Sequence, residues 1–286
     1  MRRDPQVAVL DDEGEVVEEV RVANADLDEI AQKYEGSQAA LEAGSNHFTI
    51  YDELEQYVDV TLANPAKADW LATQRQKSDR KDAKNLARYL RLNDVPQSYV
   101  PPEEYRRYRA LARGRKKFVD KRNDFKNEVN SLLDQNGITY DGSLWTDEGR
   151  EFLDELTLGE PSQLLLEKWL EAIDEFTEKI TEIQAKIEEV AVDVEEVDLL
   201  MTVSGIASYS GLMIHSEIGE VERFDRAAEV VSYRSKSETA SSSIASFSTL
   251  RPTFIASSIC DRVAVRGTVS SNVPWPKSLR TCESHQ

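Results

Sequence analysis

The sequence is poor in cysteine, in histidine and in long apolar runs. Two cysteines and three histidines among 286 residues cannot supply a disulfide framework, or a zinc site with ligands to spare. No stretch of about 18 residues is apolar without charges or serine clusters, which excludes a membrane-spanning helix. The residues after Met1 lack the apolar core of a signal peptide, so we expect a cytoplasmic protein with no membrane partner.

Acidic residues dominate the charge of the chain. Asp and Glu number 53 against 35 Lys and Arg, which gives a net charge of -18. Because 40% of the residues are hydrophobic, the chain can still bury a core, and wholesale disorder is excluded. Such an excess of acid resembles proteins of a halophilic cytoplasm, where salt at about 1 M shortens the Debye length to about 3 Å and screens repulsion from DNA.

The charge changes sign after Tyr233. Residues 1–233 hold 50 acids and 28 bases, whereas residues 234–286 hold 3 acids and 7 bases. This tail also contains 13 serines and both cysteines, without a helical or alternating apolar period. These features favour translation in a shifted frame over the alternative, a basic serine-rich tail that binds nucleic acid or is modified. We expect residues 234–286 to be out of frame or disordered.

A basic segment interrupts the acidic chain between Tyr105 and Lys126. It holds ten bases and two acids in 22 residues, with aromatic residues among them. A phosphate backbone attracts such a segment when it lies on a helix. The simpler alternative is a solvated helix face whose bases pair with nearby acids. The contrast with the acidic background favours a nucleic-acid contact, for which the candidate residues are Arg106, Arg107, Arg109, Arg113, Arg115, Lys116, Lys117, Lys121 and Arg122.

Local patterns predict an α/β layer followed by a helical region. Residues 6–10 and 15–22 flank an acidic turn and predict a β-hairpin. The next predicted elements are a strand over 38–42, a helix over 48–56, a strand over 57–63 and a helix over 78–92. Pro101 and Pro102 then separate this region from a stretch that reads almost wholly helical to residue 200.

The helical stretch carries the clearest periodicity in the sequence. Apolar residues recur there at alternating spacings of three and four, which is the heptad pattern of a coiled coil or a long helical hairpin. The seam has two possible partners, another chain or the helix around Phe118 and Phe125, and the pattern does not choose between them. Its positions are Leu166, Trp169, Ile173, Phe176, Ile180, Ile183, Ile187, Val190, Val194 and Val197.

Three carboxylates suit a divalent metal ion. Asp79 and Asp82 are three residues apart at the start of a predicted helix, so both project from one face. Glu42 ends a predicted strand. Carboxylate oxygens are the ligands that Mg²⁺ prefers, and a pair of such ions activates water in phosphodiester cleavage. The alternative for the two aspartates is favourable acid in the first turn of a helix.

Several motifs resemble one protein family. In chain order they read Leu-Glu-Ala-Gly-Ser-Asn at 41–46, Ala-Asn-Pro-Ala-Lys at 63–67, Lys-Ser-Asp-Arg-Lys-Asp-Ala at 77–83, Val-Ser-Gly-Ile at 203–206 and Glu-Ile-Gly at 217–219. Together they are similar to the insertion-sequence transposases named for their Asp-Glu-Asp-Asp tetrad, the one-hundred-and-ten family, over most of residues 6–233. The resemblance implies an RNase H-like domain that binds Mg²⁺, a coiled-coil spacer, and a second domain with a nucleophilic serine. It also implies DNA recombination guided by a structured RNA of the element.

The resemblance assigns site residues and also shows two departures. Glu42, Asp79 and Asp82 correspond to the second, third and fourth carboxylates of the tetrad. The family begins with a strand Gly-Ile-Asp that supplies the first carboxylate, and we expect this strand to be missing here. After Tyr233 the family continues Ala-Gly-Leu-x-Pro and reaches a Ser-Gly nucleophile, whereas this chain has Ser235 and Ser237 without that motif. We therefore assign no nucleophile.

The resulting prediction has four regions and three functional hypotheses. The regions are an RNase H-like domain over 1–98, a helical coiled-coil spacer over 99–199, the start of a helical transposase domain over 200–233, and the tail over 234–286. The favoured hypothesis is a defective transposase that retains DNA and RNA affinity and forms a homo-oligomer through the coiled coil. The alternatives are a Mg²⁺-dependent structure-specific nuclease with Asp11 or Asp12 as a fourth acid, and a non-enzymatic coiled-coil protein that binds nucleic acid.

Overall fold

The structure of the chain is a computed structural model. The structure describes residues 4–44, 46–64, 67, 78–226, 228–230 and 232–233. The chain divides into two compact units, with the division between Val100 and Pro101. The tail over 234–286, and with it Ser235 and Ser237, lies outside the described residues.

The first unit opens with a β-hairpin, as predicted. Strand β1 (Gln6–Leu10) pairs antiparallel with β2 (Val16–Arg21), with Gln6 opposite Arg21. The backbone N–H of Glu15 donates to the Asp11 carboxylate at 2.8 Å. Gly14 adopts a positive φ of 91°, which a residue with a Cβ rarely does, so the turn can close tightly.

A second pair of strands is parallel and is joined through a helix. β3 (Gln38–Glu42) pairs with β4 (Asp59–Ala63), and α2 (His47–Leu54) lies between them in the chain. The 3₁₀ turn Asn24–Asp26 and α1 (Leu27–Lys33) connect the hairpin to β3. Buried Val22, Leu27 and Ile50 form one apolar cluster, with residues of both strand pairs packed against it.

The α/β character is confirmed, but the described strands do not form the single sheet of an RNase H-like domain. They form two separate two-stranded sheets. Among the described residues, β1 pairs with β2 alone and β3 pairs with β4 alone. The outer edge of β4 is partly covered, because the backbone N–H of Ser98 donates to the carbonyl of Leu62 at 2.7 Å.

Helix α3 (Asp79–Arg91) packs on β1 and β3. Ser78 caps its start by accepting from the backbone N–H of Lys81, and the first turn is acidic while the last is basic. This arrangement complements the helix dipole at both ends. The helix ends where Asn93 turns into the left-handed region at φ 54°.

The second unit is helical and is built on a long hairpin. Its helices are α4 (Glu103–Gln135), α5 (Asp147–Glu155), α6 (Ser162–Val192), α7 (Glu195–Met201) and α8 (Ser208–Ile218), followed by the 3₁₀ turn Val221–Arg223. Leu132 near the end of α4 packs with Leu166 near the start of α6. Leu111 near the start of α4 packs with Ile187 near the end of α6. The two helices are therefore antiparallel.

The heptad seam has its partner within the chain. Buried Leu166, Ile173 and Ile187 lie in clusters shared with α4, so the helix around Phe118 and Phe125 is the partner over the described residues. The seam does not lie on one helix. Helix α6 ends at Val192, and the last two residues of the seam, Val194 and Val197, follow this break. Oligomerisation through this seam stays a prediction.

No described helix is both long and apolar enough to span a bilayer.

Candidate functional site

The three predicted carboxylates lie on two neighbouring elements. Glu42 is the last residue of β3 and is exposed. Asp79 and Asp82 occupy the first turn of α3, which packs against β3. The fold therefore places Glu42 at a strand end and the two aspartates at a helix start within the same unit.

Asp79 is not a free ligand in this fold. The guanidinium of Arg21 donates to it, with 2.8 Å between Nη2 and Oδ2. About half of each side chain is exposed, 52% for Arg21 and 50% for Asp79. Sequence reasoning missed Arg21, since 58 residues separate the partners and no local pattern links them.

A second group of charged side chains holds α3 to β2, the strand that carries Arg21. Glu19 of β2 accepts hydrogen bonds from Arg80 and from Lys84, whose Nζ lies 2.7 Å from Oε2. The Glu19 side chain is only 9% exposed. The hydrogen bond from Arg80, followed by that from Lys84, lowers the pKa of Glu19 to about 2. Glu19 thus stays ionised and clamps α3 to β2.

The described carboxylates do not complete a metal site. Among residues 4–233 that the structure describes, no three His, Cys, Asp or Glu residues are grouped so as to hold a metal ion. Asp79 and Asp82 offer one pair of carboxylates, which suits Mg²⁺ only if water or substrate supplies its other ligands. Asp11 is not grouped with them and instead accepts a hydrogen bond in the hairpin turn.

Part of the basic segment on α4 faces into the helical unit. Arg109 is 15% exposed and donates to the carbonyl of Ser216 at 2.7 Å. Arg113 forms a two-bonded pair with Glu217, at 2.5 and 2.8 Å. These two arginines secure the end of α8, where a cation also complements the helix dipole. Their role in the described fold is intramolecular.

Other bases on α4 also have partners within the unit. Arg115 lies over the ring of Tyr209, 4.3 Å from its centroid. Lys116 pairs with Asp120 at 2.8 Å. Arg106 and Arg122 are partly buried. The simpler reading of the basic segment, bases paired with nearby groups, therefore describes a good part of it.

Three bases remain on one exposed face of α4. Arg107, Lys117 and Lys121 are all exposed and lie within an arc of about 80° when residues are spaced by about 100° around a helix. Arg107 and Lys121 make only one-turn pairs with exposed Glu103 and Asp124. Lys117 takes part in no ion pair within the described ranges. We call these three residues the basic face.

Two features of the described residues bear on function. An α/β unit with carboxylates at a strand end and a helix start precedes a helical hairpin with a basic face in an acidic chain. A clustered basic face of this kind is typical of proteins that bind nucleic acid.

The comparison with protein families is specific. Residues 3–137 match the model of a transposase family, the DEDD transposases of IS110 insertion sequences. Over these residues the chain is similar to that family. The match covers the first unit from residue 3 onward and all of α4, and it includes Glu42, Asp79, Asp82 and the basic face.

A curated relative extends the similarity. A protein of Sinorhizobium fredii (strain NBRC 101917 / NGR234) whose name describes it as a transposase is 24% identical over 211 residues. The alignment covers 72% of this chain and 51% of the relative. The chain therefore spans about half the length of the curated relative that it matches.

Proposed function

We propose that this chain derives from a transposase of an insertion sequence and binds DNA. The observation that carries the proposal is the family match over residues 3–137. The family resemblance further suggests strand cleavage and rejoining guided by a structured RNA of the element. For this chain we propose that affinity for DNA and RNA is retained and that recombination is not.

The basic face is the proposed contact with the phosphate backbone. Its three bases are exposed. The ion pairs of Arg107 with Glu103 and of Lys121 with Asp124 are exposed and therefore weak, so a phosphate can replace either carboxylate. Ala110 and Gly114 lie on the same side of α4, between Arg107 and Lys117 along the helix. Because Ala110 has only a methyl group and Gly114 has no side chain, a sugar-phosphate strand has room to approach the helix.

Glu42, Asp79 and Asp82 are proposed as the acids that correspond to the family tetrad. A divalent ion held there would activate water and stabilise the leaving oxygen of a phosphodiester. Since the described residues group no three such ligands, we assign no cleavage step to them. The second candidate function is a non-enzymatic coiled-coil protein that binds nucleic acid, a function that needs no such group of ligands.

A cleavage assay separates binding alone from the nuclease alternative. The full chain is incubated with branched DNA and with RNA, with and without Mg²⁺, beside Asp79→Ala and the control Asp147→Ala. Asp147 matches Asp79 because it is exposed and lies in the first turn of a helix, α5. We expect binding without cleavage in all three proteins.

Two results would overturn the proposal in different ways. Cleavage that disappears in Asp79→Ala but persists in Asp147→Ala would establish the nuclease alternative. A chain that binds neither nucleic acid would contradict the proposed function altogether.

A further inference from the structure

Three partly buried cations lie along one flank of α4, apart from the basic face. They are Arg115, Arg122 and Lys126, and their spacings of seven and four residues place them on one side of a helix. Arg115 lies over the ring of Tyr209, 4.3 Å from its centroid. The Nζ of Lys126 lies over the ring of Trp145, 4.6 Å from its centroid. We call the three cations the cationic row.

The cationic row has no acid of its own. Among the described residues, no member of the row takes part in an ion pair, and the buried Nε atoms of its two arginines have no hydrogen-bond acceptor. Other partly buried bases of α4 do have carboxylate partners, since Arg109 lies near Glu217 and Lys116 pairs with Asp120. A charge that is partly removed from water without a countercharge is unfavourable for the fold. The row therefore favours a negatively charged ligand.

The pair formed by Arg122 and Lys126 carries the largest share of this cost. Like charges four residues apart repel each other on a helix. Burial lowers the pKa of the Lys126 ammonium from its ordinary 10.5, and the charge of Arg122 lowers this pKa further. An anion bound between the two side chains opposes both effects, because it stabilises the charged form of the lysine and screens the repulsion.

We propose that Arg122 and Lys126 bind a phosphate group beside the ring of Trp145. A guanidinium offers a planar fork of donors and an ammonium a compact charge, and both suit phosphate oxygens. Arg115 extends the row by about two turns of helix. Arg122 is turned by about 100° from Lys121 around the helix, so this contact is separate from the basic face. The inference rests on the proposed function only for the source of the phosphate, a nucleic-acid strand.

The test measures how fast each lysine of the full chain reacts. Brief reductive methylation followed by peptide mass spectrometry reports this rate, because only the free amine reacts. Inorganic pyrophosphate is compared with chloride at equal ionic strength. An anionic charge about 4 Å from an ammonium lowers the fraction of free amine about fivefold even in water, and we expect that fall at Lys126. Lys116 is the matched control, because it is partly buried on the same helix but pairs with Asp120, and its rate is expected to stay unchanged.

The variant Arg122→Gln tests the other half of the site. It keeps a polar side chain and removes the repulsion between like charges, so α4 is expected to persist, and circular dichroism checks this. The effect of pyrophosphate on Lys126 should fall well below fivefold in this variant. The control Arg226→Gln removes a charge from a 76% exposed side chain of the same unit, and the effect on Lys126 should persist in full.

Two oligonucleotides identify the source of the phosphate. One is a short oligothymidylate, and the other has the same sequence with an uncharged methylphosphonate backbone. We expect the charged strand to slow the methylation of Lys126 and the uncharged strand to leave it unchanged.

Unchanged reactivity of Lys126 with both pyrophosphate and the charged strand overturns the proposal. Equal protection of Lys116, full protection in Arg122→Gln, or equal protection by the uncharged strand also overturns it. If Arg122→Gln does not fold, the ratio of the Lys126 rate to the Lys116 rate in the unmodified chain decides alone. Selective protection of Lys126 by pyrophosphate but not by the charged strand would support the phosphate site and count against the proposed function alone.

Discussion

At the scale of single residues, Glu19 lies between two cations of α3. Its carboxylate is nearly enclosed and accepts from Arg80 and Lys84. The pKa of Glu19 is lowered from 4.5 to about 2. A carboxyl group with a lowered pKa in the folded state stabilises the fold above its unfolded pKa, and this contribution is lost as pH falls toward the folded value.

We therefore predict a pH-dependent cost for Glu19→Gln. At neutral pH the variant should be less stable than the unmodified chain, since two cations lose their countercharge. The difference should shrink as pH falls from about 4.5 toward about 2. Urea unfolding across this range measures it, and Glu13→Gln in the exposed hairpin turn is the control. A difference that does not change with pH would contradict the assignment.

His215 gives a second prediction at the same scale. It is 8% exposed and stacks on Tyr105, with ring centroids 4.7 Å apart. Burial lowers the pKa of His215 from its ordinary 6.5, against the smaller opposing effects of Glu196 and Glu104. Between the two values the unfolded chain binds more protons, so stability should fall as pH drops below about 6.5.

The measurement compares urea midpoints at about pH 7.5 and about pH 5.5. The unmodified chain should lose stability over this interval, and His215→Asn should lose less. The variant should also be less stable at the higher pH by about 0.5–1.5 kcal/mol, because the ring stack is gone. An equal pH response in both proteins would contradict the account.

At the scale of elements, the α4–α6 hairpin depends on its internal seam. Ile187 is fully buried against α4, whereas Val192 at the end of α6 is 75% exposed. We predict that Ile187→Ala lowers the free energy of unfolding by about 2–5 kcal/mol. Val192→Ala should change it by no more than about 0.5 kcal/mol. Chemical denaturation monitored by circular dichroism checks both, and similar costs for the two variants would be inconsistent with the seam.

A substitution at Gly149 tests how closely the backbone packs at the start of helix α5. A Cβ on Gly149 would lie 2.3 Å from the carbonyl oxygen of Ser143, a contact that the backbone cannot easily relieve. Gly149→Ala should therefore destabilise the helical unit by about 1–3 kcal/mol. The control is Gly159→Ala, where nothing lies within 4 Å of the added Cβ. Thermal unfolding of the two variants compares them, and equal melting temperatures would show that α5 does not pack as described.

At the scale of the whole molecule, local patterns were sufficient for most elements of the described chain. Turn residues and alternation predicted the hairpin, and the bounds of α3 differ from the expected 78–92 by one residue at each end. The break after Val192 was missed, because the apolar repeat continues through it. The separate sheets were also missed, since strand pairing depends on contacts between distant segments.

The candidate site was also predictable only in part, because contacts between distant segments do not follow from local patterns. The types and positions of the carboxylates follow from motif and helix spacing. Their partners do not, because Arg21 and Asp79 are 58 residues apart and Arg113 and Glu217 are 104 apart. Which bases remain exposed on α4 likewise depends on how α8 packs, and a charge count cannot show it.

The most direct test of the whole account is DNA binding by fluorescence anisotropy over a series of salt concentrations. The charge-reversed variant Lys117→Glu/Lys121→Glu is compared with Lys168→Glu/Lys186→Glu, which alters two exposed lysines of α6. If the basic face binds phosphates, the first variant should bind more weakly, and its slope of log affinity against log salt should fall by about 0.9 for each phosphate that is no longer neutralised. Equal affinity and slope in both variants would contradict it.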